Sequence, residues 1–178
     1  MTWLVLIYTV PSDPSRLRAT VWRDLKKAGG VYLRDGVAVL PDRQGTRTDF
    51  RAITEKITEF GGQATLVEGA KLDPEREVAV TAQANANREE EYAEVLREAE
   101  RFLEHARRER EHRELTFAEL EEIEADLAKL KRWVGQIRDR DYFATPSADR
   151  VAGILAHCDA ALAAFLEQTY ASTEEAAR

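Results

Sequence analysis

The stretch VWRDLKKAGGVYLRDGVAVLP, residues 21–41, decides the fold. Val21 and Leu25 fall on one side of a helix of period 3.6, with Arg23 and Lys27 on the other and Lys26 beside them. The helix runs into Gly29-Gly30, a pair suited to the left-handed residue that closes a helix. Residues 31–33 and 37–40 then read as two short strands, and Asp35-Gly36 between them suits a tight hairpin turn.

Upstream, residues 3–10 are apolar on both alternating faces, Trp3, Val5 and Ile7 against Leu4, Leu6, Tyr8 and Val10. Only a strand covered on both sides is written this way. Pro11 and Pro14 end it, and Ser15 is a candidate N-cap for a helix reaching about Ala28. Leu17, Val21, Leu25 and Ala28 form that helix's buried stripe, with Trp22 on the flank. Downstream, Phe50, Ile53, Ile57 and Phe60 recur at helical spacing until Gly61-Gly62, and residues 64–67 read as one more strand.

The order strand, helix, strand, strand, helix, strand is the split βαβ, or ferredoxin-like, module, assigned here to residues 1–72. Its sheet ordinarily has helices on one face only. A first strand apolar on both faces therefore calls for cover on the other, from C-terminal helices or from a second subunit, and a homodimer is the expected assembly.

The composition changes after Asp73-Pro74. Residues 77–87 fit a strand or a helix start. From Arg88 the pattern is helical, with Tyr92, Val95, Ala99, Phe102 and Ala106 on one side. Thr116-Phe117-Ala118-Glu119 is a capping box. It opens a helix whose Leu120, Ile123, Leu127, Leu130, Val134 and Ile137 form a heptad seam. Thr145-Pro146 announces a last helix carrying Val151, Leu155, Cys158, Leu162, Phe165 and Thr169. Residues 73–178 thus read as an antiparallel helical hairpin or three-helix bundle, and the fold class is α+β.

At 178 residues, 44% apolar and 33% charged, the chain reads as soluble and globular. No apolar run approaches the roughly 20 residues that span a bilayer, so no membrane association is expected. The N-terminus lacks the basic region of a signal peptide. A single cysteine, Cys158, excludes an internal disulfide and fits a reducing cytoplasm. The net charge of -7 is unevenly shared: residues 1–71 carry 11 Lys/Arg against 8 Asp/Glu, and the rest 15 against 25. The N-terminal part is the place for an anion partner, and the acidic remainder would repel nucleic acid.

Wound at about 100° per residue, the first helix sets Arg16, Thr20, Arg23 and Lys27 on one line with Lys26 beside it, opposite the apolar stripe. The plain account is a solvated helix face; the sharper one is a phosphate- or oxyanion-binding ridge, joined by Arg47 and Arg51 from the second helix. Arg18 falls within the apolar arc, where an arginine is paired, stacked or held for a ligand. His105, Glu109 and His112 share one helix face. The surrounding HARREREHRE is a dense mixed-charge run, however, better explained by solvated i,i+4 pairing, and no metal is expected. Cys158 lies on an apolar seam and reads as structural. Arg138-Asp139-Arg140-Asp141 reads as local salt bridges unless it folds back near the first helix. No phosphate loop, nucleophile elbow or acid pair at a strand end is present, so neither an enzyme nor a cofactor is expected.

The segments WLVLIYTVPSDPSRLR, VWRDLKKAGGVYL and GVAVLP resemble the N-terminal domain of the ChrB chromate-resistance family. A looser match runs through EYAEVLREAERFL, LTFAELEEIEADLAKLKRW and IRDRDYF. The RLR, WRDLKKAGG, VAVLP series is also similar to the ferredoxin-like central domain of PaaX-type transcriptional repressors. The resemblance implies a cytoplasmic bacterial regulator of chromate-resistance genes that binds DNA and responds to chromate. The alternative is a chromate-responsive sensor, or a protein-interaction subunit, that does not bind DNA.

Overall fold

The computed structural model describes residues 1–112 and 115–176. Arg113 and Glu114, which close the HARREREHRE run, and residues 177–178 lie outside it. The order is β1 (Trp3–Thr9), α1 (Arg16–Lys27), β2 (Val31–Arg34), β3 (Val37–Pro41), α2 (Gln44–Glu59), β4 (Gln63–Ala70), α3 (Pro74–His112), α4 (Phe117–Arg138) and α5 (Ser147–Ala176). Two compact units result. The first comprises Met1–Ala86 with Arg140–Phe143, and the second holds the remainder.

In the first unit the sheet order is β2-β3-β1-β4, with every neighbouring pair antiparallel. This is the split βαβ arrangement expected of the sequence. Leu4 and Leu6 of β1 and Ala38 and Leu40 of β3 point to one face, where Val21 and Leu25 of α1 and Phe50, Ile53 and Ile57 of α2 complete a core. Both helices end as the paired glycines direct. Gly29 and Gly61 take positive φ, and the N–H groups of Gly30 and Gly62 return to the carbonyls of Leu25 and Ile57 at 2.8 and 2.9 Å. Ser15 departs from its expected part, because its side chain makes no capping bond. The Leu17 N–H finds the Pro14 carbonyl at 3.1 Å instead.

The opposite face is covered by the chain itself. Trp3, Val31 and Val39 pack with Val80 and Ala84 of α3, flanked by Leu72 and Phe143. Residues 77–87 are therefore helix. Asp73 accepts the Arg76 N–H at 3.0 Å, and Pro74 occupies the first helical position, where no N–H is needed. The cover fades along β1: Trp3 is buried, Val5 half-buried and Ile7 exposed.

In the second unit α3, α4 and α5 bury one stripe each in a common core that includes Tyr92, Val95, Ile123, Val134, Val151 and Phe165. Glu89 bonds the Ser147 hydroxyl, and Arg110 bonds Gln168 at 2.9 Å, so α3 and α5 run parallel. His105 meets Glu119, and Phe117 meets Tyr170 edge-on, so α4 runs back between them. The cap on α4 forms as its sequence states, with the Glu119 N–H on Thr116 Oγ1 at 3.1 Å. By length and composition α5 could cross a membrane. Much of its apolar character comes from exposed alanines (Ala152, Ala156, Ala160, Ala163), while Val151, Cys158 and Phe165 bury into the bundle.

Candidate nucleic-acid interface

The amphipathic pattern of α1 turns Val21 and Leu25 inward and leaves Arg16, Arg23, Lys26 and Lys27 exposed. Across roughly 16 Å of helix axis these cations form a ridge long enough to follow several phosphates of one strand. Among the described residues, no carboxylate lies within ion-pair distance of Arg16, Arg18, Arg23, Lys26 or Lys27. Arg23 instead leans on Thr20 Oγ1 at 3.3 Å, and Lys26 sits 5.4 Å over the ring of Trp22, itself 51% exposed. The helix is held from behind by Asp24, which binds Lys56 of α2 at 2.5 Å. Lys26 and Lys27 occupy the last turn, where the helix dipole favours positive charge.

The other three expected site residues have structural partners. Arg18 reaches the Ser12 carbonyl at 3.5 Å, a weak brace on the loop before the helix. Arg51 pairs with Glu68 of β4 at 2.6 Å, and Arg47 binds Asp42, with Glu68 beside it at 3.9 Å. Asp42 also accepts the Gly69 N–H at 2.9 Å. The Arg47 hydrogen bond holds the Asp42 carboxyl below its ordinary range and the guanidinium above its own. Arg47 and Arg51 thus form a clamp between α2 and β4, with their charge largely offset by acids.

One feature of this surface lay hidden in the sequence. Residues 140–143 return to the C-terminal end of α1. The Tyr142 hydroxyl donates to the Ala28 carbonyl at 2.8 Å, and a Cβ on Gly29 would lie 3.0 Å from the Cβ of Arg140. Arg43 donates to the Tyr142 carbonyl at 2.9 Å and lies 5.4 Å from its ring centre. Of the run Arg138-Asp139-Arg140-Asp141, Arg140 thus meets the condition of folding back near the first helix. The usable signal was the Tyr142-Phe143 pair after that charged run: Phe143 packs against Trp3 with ring centres 6.0 Å apart.

In the second unit His105 Nε2 faces Glu109 at 3.6 Å and Glu119 at 3.4 Å, and the three ligand atoms lie within 4.8 Å of one another. His112, grouped with His105 and Glu109 by helical spacing, is exposed and does not join them; Glu119 of α4 takes its place. Cys158 is fully buried with Sγ 3.9 Å from the Ala99 carbonyl, and burial pushes its thiol up to about 11.

A family model described as "Protein ChrB, N-terminal" matches residues 18–176. Protein ChrB of Cupriavidus metallidurans is 29% identical over 94 residues, which make up 53% of this chain and 28% of that protein. The chain thus matches well under two thirds of the relative's length. No solved structure matches the chain.

Proposed function

Since the chain belongs to the ChrB N-terminal family, we propose that it serves chromate resistance as a cytoplasmic regulatory module, without catalysis, and contacts DNA phosphates through the basic face of α1. The observation that carries this is the set of cations on α1 with no carboxylate at ion-pair distance among the described residues, in a chain of net charge -7. Bringing phosphates to such cations releases counterions, a gain that does not depend on base sequence. Trp22 at the edge of the ridge offers a ring for stacking on an unpaired base or a sugar. Titrating the protein at low salt into a labelled duplex from its own promoter region tests the proposal. Saturable binding is expected, and none by folded protein would overturn it.

A second reading is favoured by the 25 acidic residues that follow residue 71, which repel a polyanion more than a small one. Under it, the same cations hold chromate or another oxyanion, or face a protein partner, and DNA is not bound. Direct titration separates the two: saturable uptake of chromate by folded protein that does not bind the duplex supports the sensor.

We further propose a homodimer. Ile7 and Val67 on the uncovered end of the sheet are 48% and 40% exposed, an apolar strip that a second copy would cover. Light scattering at micromolar concentration should give twice the chain mass; a monomer would contradict this.

A further inference from the structure

We propose that His105, Glu109 and Glu119 bind a divalent first-row transition ion, joining the last third of α3 to the first turn of α4. Both carboxylates converge on the same ring nitrogen, Nε2 of His105, from separate helices, at 3.6 and 3.4 Å. A single N–H shared between two oxygens makes at best a bifurcated bond, and both separations lie beyond the usual range of about 2.7–3.2 Å for an N–H···O bond. They match another geometry. An ion about 2.0–2.1 Å from each donor in a tetrahedral shell holds neighbouring ligand atoms about 3.4 Å apart.

The donor set defines the class of ion. One imidazole and two carboxylates suit zinc, manganese or ferrous iron; the imidazole disfavours calcium and magnesium, and the lack of sulfur disfavours cuprous copper. The side chains are also pre-placed. His105 and Glu109 are one helical turn apart on α3, and Glu119 is fixed by its own N–H on the capping Thr116. Their side chains are only 27%, 16% and 22% exposed, so few solvent contacts must be stripped when the ion enters. His105 also lines an open cleft of about 1010 Å³ with Arg101, Arg108 and Trp133, which gives the ion a path in and room for a water as fourth ligand. This site is independent of the basic ridge, and its test does not involve DNA.

The probe is Zn²⁺, titrated calorimetrically into the full chain after removal of metal by a chelator. One ion per chain is expected, with a rise in melting temperature on saturation. His105→Ala and Glu119→Gln should each weaken binding by at least tenfold, whereas His112→Ala and His157→Ala should leave it unchanged. Glu109→Gln, which preserves side-chain shape, serves as a further ligand test should the alanine variant lose helicity by circular dichroism. No saturable uptake by the native chain would overturn the site, and so would uptake that survives both the His105 and the Glu109 substitutions.

Discussion

Gly36 and Cys158 show how much a single position can be made to say. At Gly36 the φ angle is +69°, its carbonyl accepts the Tyr8 N–H at 2.8 Å, and a Cβ would lie 2.5 Å from the Tyr8 carbonyl oxygen. Gly36→Ala must move backbone, and a loss of about 1–3 kcal/mol in denaturant unfolding is expected. Near-native stability would mean the turn tolerates a side chain. Cys158 combines full burial with a thiol pushed up to about 11. Little thiolate exists at neutral pH, so a thiol reagent should react only as fast as the bundle opens. Labelling of native protein as rapid as that of unfolded protein would contradict this. Both positions were legible in the sequence, Gly36 from its hairpin partner Asp35 and Cys158 from the spacing of its seam. His105 was not. Spacing along one helix offered Glu109 and His112, but the third member of its cluster, Glu119, lies on another helix.

At the scale of elements, β1 and the hairpin were written plainly because period-two apolarity and Asp-Gly leave few alternatives. The start of α3 was obscured by Val78, Val80 and Thr81, which favour a strand locally. A strand would place Val78 and Val80 on the same face, yet Val78 is 70% exposed and Val80 3%. The pair that shares a face is Val80 and Ala84, four apart, as a helix requires. Tertiary packing against Trp3 and Val39 overrides local propensity. The α2–β4 clamp yields an expectation in pH. The Asp42 carboxyl is held below its ordinary value of 3.8. Its contribution to stability is therefore complete above that value and is lost as pH falls through the lower, folded-state value. Asp42→Asn should destabilise the protein at neutral pH and flatten the acid limb of its stability profile. An unchanged acid limb would show that Arg47 and Asp42 are not coupled.

Across the whole molecule, the division of charge was plain from composition alone, but composition could not say which cations are free. Arg47 and Arg51 are offset by Asp42 and Glu68, while Arg16, Arg23, Lys26 and Lys27 have no carboxylate at ion-pair distance among the described residues. Sequence spacing alone does not distinguish the two groups, since both place cations one helical turn apart, Arg47 with Arg51 and Arg23 with Lys27. The Tyr142-Phe143 pair could mark residues 140–143 as a segment that docks, but no local pattern encodes where: the Tyr142 contact is with Ala28, more than a hundred residues away. The proposed role of α1 depends on the free group acting through charge. The most direct measurement is duplex affinity across a salt series, for the native chain and for the Arg23→Ala/Lys27→Ala double variant. Four phosphate contacts give a slope of roughly -3 to -4 in log affinity against log salt per chain, and removing two should reduce it by about 2 for every DNA sequence alike. These side chains point away from the core, so the fold should survive. An unchanged slope and affinity in the folded double variant would contradict the assignment of α1 as the DNA-contacting element.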